Sequence, residues 1–162
     1  MPRTTVAAWL TLALLAAPVA AASDAAPIRI PLERTHAATY NVAVELGQGF
    51  RGDFLVDTGS SHMAIRESTL RRLQQAGHAR FVKNLAGRMA DGSRQVVPVY
   101  RIDRVRIGEQ CVLERVDAAI FPDSARPILG MSALRQAAPI GFSTEPPVLK
   151  LGGCDDLHAA AR

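Results

Sequence analysis

The chain has 162 residues, 48% of them hydrophobic, with 19 basic and 15 acidic side chains interspersed for a net charge of +4. That length accommodates one domain with its own core. Aromatic residues make up only 5%, which argues against nucleic-acid binding by base stacking.

The first segment reads as a targeting sequence. Arg3 supplies a positive start, Val6 to Ala17 is apolar, and Ala20-Ala21-Ala22 offers a small-residue cleavage site. Residues 1–22 are therefore expected to be a signal peptide, with a mature domain over residues 23–162 in the periplasm or secreted. The apolar run falls short of the ~20 residues that span a bilayer, so no stable membrane insertion is expected after cleavage.

Strand signals dominate the mature region. Ile28 to Leu32 alternates, and Pro31 restricts it to a sheet edge. Tyr40, Val42, Val44 and Leu46 share one face of a second strand. Gly47-Gln48-Gly49 turns the chain, and Phe50 to Val56 returns as the other arm of a hairpin. After His62-Met63-Ala64-Ile65, a short strand, Ser68 to Ala76 reads as a helix with Leu70 and Leu73 inward and Gly77 as its stop. Phe81 to Val99 contains Asp91-Gly92, a strong hairpin signal. Val96 to Ile107 and Cys111 to Phe121 form two long strand regions joined by Gly108-Glu109-Gln110. Pro127 to Leu134 reads as a short strand, a Gly, and a helix capped by Ser132, and the tail after Gly152 is expected to fray. The expectation is one mostly β domain with two short helices.

Asp57-Thr58-Gly59 carries the chemistry. The run Phe54-Leu55-Val56 is continuously apolar, as in a strand buried on both faces, and it delivers Asp57 to its end. Thr58 is β-branched and holds one rotamer, Gly59 permits a tight turn or close approach, and Ser60 places a hydroxyl within reach of the carboxylate. The same residues also fit an ordinary Asp-Thr-Gly turn between strands. Ser60-Ser61-His62 is a poor hydrolase triad, because neighbouring strand residues point to opposite faces and no nucleophile-elbow spacing is present.

A second motif, Ile128-Leu129-Gly130, lies about seventy residues further along. With both motifs in this order, the sequence resembles the retropepsin-type aspartic peptidases, the single-domain relatives of retroviral proteases. The resemblance is closest to their bacterial exported branch, to which Ala90-Asp91-Gly92-Ser93-Arg94 and Ile102 to Gly108 are also similar, and it covers Tyr40 to Leu151. Ser60-Ser61 departs from the commoner Gly-Ala, and Pro146-Pro147 interrupts the usual C-terminal strand, which bears on the dimer interface.

The resemblance implies a closed β-barrel, with Ile128-Leu129-Gly130 threading beside the catalytic loop and Met89, Ala90, Asp91 and Gly92 in a flap over the substrate. It also implies an aspartic endopeptidase in which Asp57 activates water, with no cofactor or metal and a peptide or protein as substrate. The chain is too short for a two-lobed peptidase. Asp91-Gly92 lacks the middle residue and Asp123-Ser124-Ala125 the glycine, so the second aspartate has to come from another copy in a homodimer. The alternative is a non-catalytic periplasmic peptide-binding or scaffolding module that retains the fold.

Two cysteines remain. For Cys111 and Cys154 an intrachain disulfide is the natural reading in an oxidising compartment, with free thiols or an interchain bridge left open. His36, His62, His78 and His158 have no metal-ligand spacing with each other or with the cysteines. Arg66, Arg71 and Arg72, and Arg101, Arg104 and Arg106, read as a solvated helix face and strand edge rather than a docking surface for acidic partners.

Overall fold

Alternating apolar and polar residues build most of the chain into strands. The computed structural model describes residues 26–88 and 92–156; the expected signal peptide over residues 1–22 lies outside them. Strand β1 (Ile28–Pro31) and the short β2 (Glu33–Arg34) lead to β3 (Tyr40–Leu46), which buries Val42, Val44 and Leu46 on one face. β4 (Phe50–Val56) returns antiparallel, with Phe50 opposite Leu46 and Leu55 opposite Asn41. β5 (Met63–Arg66) passes into helix α1 (Glu67–Gln75), which turns Leu70 and Leu73 inward. β6 (Ala79–Arg88) and β7 (Arg94–Ile107) form a long hairpin, and β8 (Cys111–Phe121) pairs back along β7. The chain closes with β9 (Ile128–Leu129), α2 (Met131–Leu134), β10 (Ile140–Thr144), β11 (Pro147–Leu151) and β12 (Asp155–Asp156).

The pairings close on themselves. Going round, β3 pairs with β4, β4 with β9, β9 with β5, β5 with β8, β8 with β7, and β7 again with β3. A closed ring leaves no free edge among its members. The interior holds Val44, Leu46, Met63, Ile65, Ile107, Leu129 and Leu134 among others, and no polar or charged residue is buried among the described residues. Each such side chain contributes about 1.5–3 kcal/mol on burial. A separate three-stranded sheet, ordered β1-β11-β10, carries Leu149 and Leu151 into the same core.

The β7–β8 part of the sheet has two covered faces. Ile102, Val116, Ala118 and Ile120 face the barrel core, whereas Val97, Val99 and Ala119 form a second small cluster with Leu85 and Phe121. Because side chains alternate along a strand, Asp117, Ala119 and Phe121 share this second face of β8. That face becomes one wall of the cleft beside Asp57.

Several local expectations are revised. Ser132 does not cap α2, whose first turn starts after Gly130; its hydroxyl instead donates to the Asp117 carbonyl (2.6 Å) and accepts from the Met63 N–H (2.8 Å). Pro146 sits in the turn between β10 and β11, and Pro147 begins β11 rather than interrupting it. The tail is also held beyond Gly152. Gly152 and Gly153 N–H groups donate to the Ala137 carbonyl, and β12 pairs with the start of β8. The arginines are largely engaged. Arg101 forms a two-point bond with Asp117 (2.8 and 3.2 Å), and Arg71 lies 3.7 Å from Asp123. Arg51 and Arg106 both reach Glu45, and the hydrogen bond from Arg51 is the largest cause holding that carboxyl below its usual range.

Cys111 and Cys154 are joined in a disulfide across a sequence separation of 43, tying the C-terminal segment to β8. Closing a loop of that length stabilises the fold by about 4 kcal/mol in the chain-entropy account. The double variant Cys111→Ser, Cys154→Ser is expected to lose about that much unfolding free energy, with its urea midpoint correspondingly lower. An unchanged midpoint would mean that β12 and the Ala137 hydrogen bonds hold the segment by themselves.

Candidate active site

Asp57 stands where β4 runs out of sheet partners. Leu55 and Val56 pair in parallel with Ile128 and Leu129, and the Asp57 N–H donates to the Leu129 carbonyl (3.2 Å). Beyond that bond the chain turns, and the Ser60 N–H donates to the Asp57 carbonyl (3.3 Å). The carboxylate is held inside its own loop: Oδ1 accepts the Gly59 N–H at 2.8 Å. A Cβ on Gly59 would lie 3.1 Å from that oxygen, so a larger residue there crowds the acid it serves. Thr58 is exposed at the loop tip. The expectation for Ser60 is corrected: its hydroxyl donates to the His62 carbonyl at 2.7 Å and not to the carboxylate. Leu55 and Val56 are half-buried rather than covered on both faces, because β4 ends at an open rim in a single chain.

The second motif lies against this loop. Ile128 and Leu129 sit between β4 and β5, parallel to the first and antiparallel to the second. Gly130 then passes so close to the loop backbone that a Cβ would lie 2.2 Å from the His62 carbonyl oxygen and 2.9 Å from that of Ser60. The Met131 N–H donates to the same Ser60 carbonyl (2.8 Å). Only glycine permits that approach. The loop is thus clamped on one side by Leu129 and on the other by Met131.

A cleft of ≈ 460 Å³ opens from Asp57. Its floor carries Gly59, Ser60, Ser61, His62 and Ile128, and its far wall carries Ala119 and Phe121 of β8 with Leu85, Gly87 and Val97 of the β6–β7 hairpin. The hairpin expected around Asp91-Gly92 is present, with Arg88 opposite Arg94 in register. Of the residues expected at its tip, Met89, Ala90 and Asp91 lie outside the described residues, while Gly92 is exposed at the start of the return. Leu85, Val97, Ala119 and Phe121 did not emerge from the sequence as site residues. Their period-two spacing within β6, β7 and β8 marks a shared face, but not what that face covers. A larger hollow of ≈ 560 Å³ between β4 and α1, lined by Phe50, Arg51, Thr69 and Arg72, contains no residue of the Asp57 loop.

His62 contributes a ring to this cleft, with Nδ1 3.0 Å from the Ser61 hydroxyl. Burial, and then the positive charge of Lys83, push its pKa below the usual imidazole value, with Arg135 acting the same way and Asp117 opposing. Among the described residues, no group of three or more His, Cys, Asp or Glu is placed to hold a metal ion.

Asp57 thus stands on a glycine-clamped loop facing a cleft under the β6–β7 hairpin. Residues 33–136 match the family model of the gag-polyprotein putative aspartyl protease. The chain belongs to that family. In structure it is similar to a retropepsin-like aspartic protease from Rickettsia conorii, with a TM-score of 0.56 at 16% identity over 77% of this chain and 90% of that one. At that identity the likeness speaks for the fold, which is retropepsin-like and mostly β. No curated protein matches the chain in sequence. The family places the chain among the putative aspartyl proteases.

Proposed function

We propose that the protein is a homodimeric aspartic endopeptidase whose active site is assembled from two Asp57 carboxylates. The observation that carries this reading is the Asp57 loop itself: a carboxylate oriented by Gly59, clamped by Leu129 and Met131, and open to a cleft walled by the β6–β7 hairpin. One such loop per chain makes half a site.

In the dimer the two carboxylates face each other across the two-fold axis. Like charges a few ångströms apart do not both ionise, so the pair keeps one proton. The ionised member takes a proton from a bound water as it attacks the peptide carbonyl, and the protonated member stabilises the developing gem-diol oxygen. The amine then leaves with a proton delivered by the pair. Thr58 and Gly59 hold the two loops together. The substrate lies extended between hairpin and floor, bound largely through main-chain hydrogen bonds. The protein acts in the periplasm or as a secreted enzyme after loss of residues 1–22, and the Cys111–Cys154 disulfide supports an oxidising compartment.

Sedimentation of the mature protein with and without pepstatin, a transition-state mimic, tests the assembly. A dimer that tightens with inhibitor is expected; a monomer indifferent to it would leave each Asp57 without a partner and favour a non-catalytic module.

The surface available for pairing is the outer strand of the three-stranded sheet. Among the described residues β10 pairs only with β11, and it exposes Ile140 (39%) and Phe142 (50%), the latter edge-on to Tyr40 at 5.1 Å. Apolar groups on a free strand edge are an interface or a liability. Phe142→Glu is expected to weaken the dimer by at least about tenfold, as an interface aromatic does. Peptidase activity falls with it and returns at high protein concentration. A variant that sediments and cuts like the parent would move the interface away from β10.

A further inference from the structure

The cleft is not electrically uniform. Its floor at one end is Asp57, and its middle is apolar, made by Leu85, Val97, Ala119, Phe121 and Ile128. The pairing register places the other end. Lys83 is opposite Val99, Val99 is opposite Ala119, and Ala119 is opposite Ala64, so these residues form one transverse row across β6, β7, β8 and β5. Val99 and Ala119 are buried on the cleft-side face, and Lys83 shares that face with Leu85 and Gly87 by alternation. The adjacent row holds Arg101 and Asp117, with His62 preceding the β5 residue opposite Ala118.

Charges in these rows do not cancel. Asp117 is already bonded twice by Arg101, so that pair is neutral. Lys83 has no carboxylate partner among the described residues, nor does Arg135, which comes directly after α2. Burial is the largest cause that lowers the His62 pKa; the charge of Lys83 acts in the same direction, and Asp117 opposes it. The His62 ring lines the cleft and offers a hydrogen-bonding nitrogen there.

We propose that this end of the cleft, where His62 lines it and Lys83 follows on the same sheet face beside the apolar Leu85–Val97–Phe121 wall, is a subsite for a carboxylate side chain. The preferred substrates are extended peptides carrying Asp or Glu next to an apolar residue near the cleaved bond. This specificity rests on the peptidase reading of Asp57. Lys83 supplies the charge and His62 a hydrogen bond. A lysine exposed as this one is gives a modest preference, up to about fivefold for Glu over Gln at low salt, falling as ionic strength rises.

The test is a set of short labelled peptides built around a Leu–Phe bond, each with Glu, Gln or Lys at one position in turn. Cleavage by the full mature protein gives kcat/KM, and fluorescence anisotropy with the Asp57→Asn variant gives binding without turnover. A Glu-over-Gln-over-Lys order at one position, inverted in Lys83→Glu, is the expected result. An order that is flat, or that Lys83→Glu leaves unchanged, overturns the subsite. Binding to Asp57→Asn with the acidic preference, but no cleavage by the parent, would sink the peptidase reading while upholding the subsite. Peptides neither bound nor cut would overturn both.

Discussion

Asp57→Asn is expected to lower peptidase activity by at least about 10⁴-fold, since acid–base catalysis alone contributes roughly 10²–10⁴ and both members of the pair are lost together. The fold should survive. Asn is nearly the same shape, its Oδ1 can still accept the Gly59 N–H, and the side chain lies at a cleft rather than in the core. Thermal unfolding within a few degrees of the parent, with no turnover, is the outcome that ties the chemistry to this carboxylate. Mixing adds a sharper measurement. If each site needs one Asp57 from each copy, an equal mixture of parent and variant, allowed to exchange, keeps about a quarter of the activity, because only parent–parent pairs work. Activity that falls only to one half would mean that each chain works by itself.

The second large effect is at Gly130. A methyl there would sit 2.2 Å from the His62 carbonyl oxygen, a backbone atom that cannot swing aside as a side chain can. Relief requires the start of β5 to move away from β9, or α2 to move out. Either motion strains the Met131-to-Ser60 bond and the Asp57-to-Leu129 bond that fix the loop. Overpacking of this kind costs about 1–3 kcal/mol, more where backbone meets backbone. Gly130→Ala is therefore expected to lower the melting temperature by roughly 5–15 °C and to cut activity further than the stability loss explains, because Asp57 is displaced. Gly52→Ala is the control. Its Cβ would meet only a Phe54 ring carbon at 3.5 Å, an ordinary contact, and its stability should stay within about 0.5 kcal/mol of the parent. Equal effects at the two positions would mean that the close approach at Gly130 is not what holds the loop.

Local pattern alone determined a good part of this protein. The period-two spacing of Val42, Val44 and Leu46 places them inward on β3, and Gly47-Gln48-Gly49 sets the hairpin to β4. Leu70 and Leu73 mark the buried side of α1, and the Asp57 and Gly130 motifs lie on the loop and strand end where their sequences put them. These features depend on neighbours a few residues apart, so the order of side chains suffices to read them.

Tertiary structure decided the rest. Ser60 had both the carboxylate and the His62 carbonyl within reach of its chain segment, and only the path of the loop past Gly130 selects the carbonyl. Ser132 reads as a helix cap, yet the approach of β5 and β8 gives it the Met63 N–H and the Asp117 carbonyl instead. Asp123 supplies what Ser68 needs at the start of α1 from 55 residues away, and that hydrogen bond holds its carboxyl below the usual range. The cleft wall of Leu85, Val97, Ala119 and Phe121 exists because β5 joins β8 in parallel while β8 pairs along β7 beside the Asp57 loop. Alternation states which residues share a face of a strand; which two faces meet is set by long-range pairing, and that depends on closing the barrel around a single core.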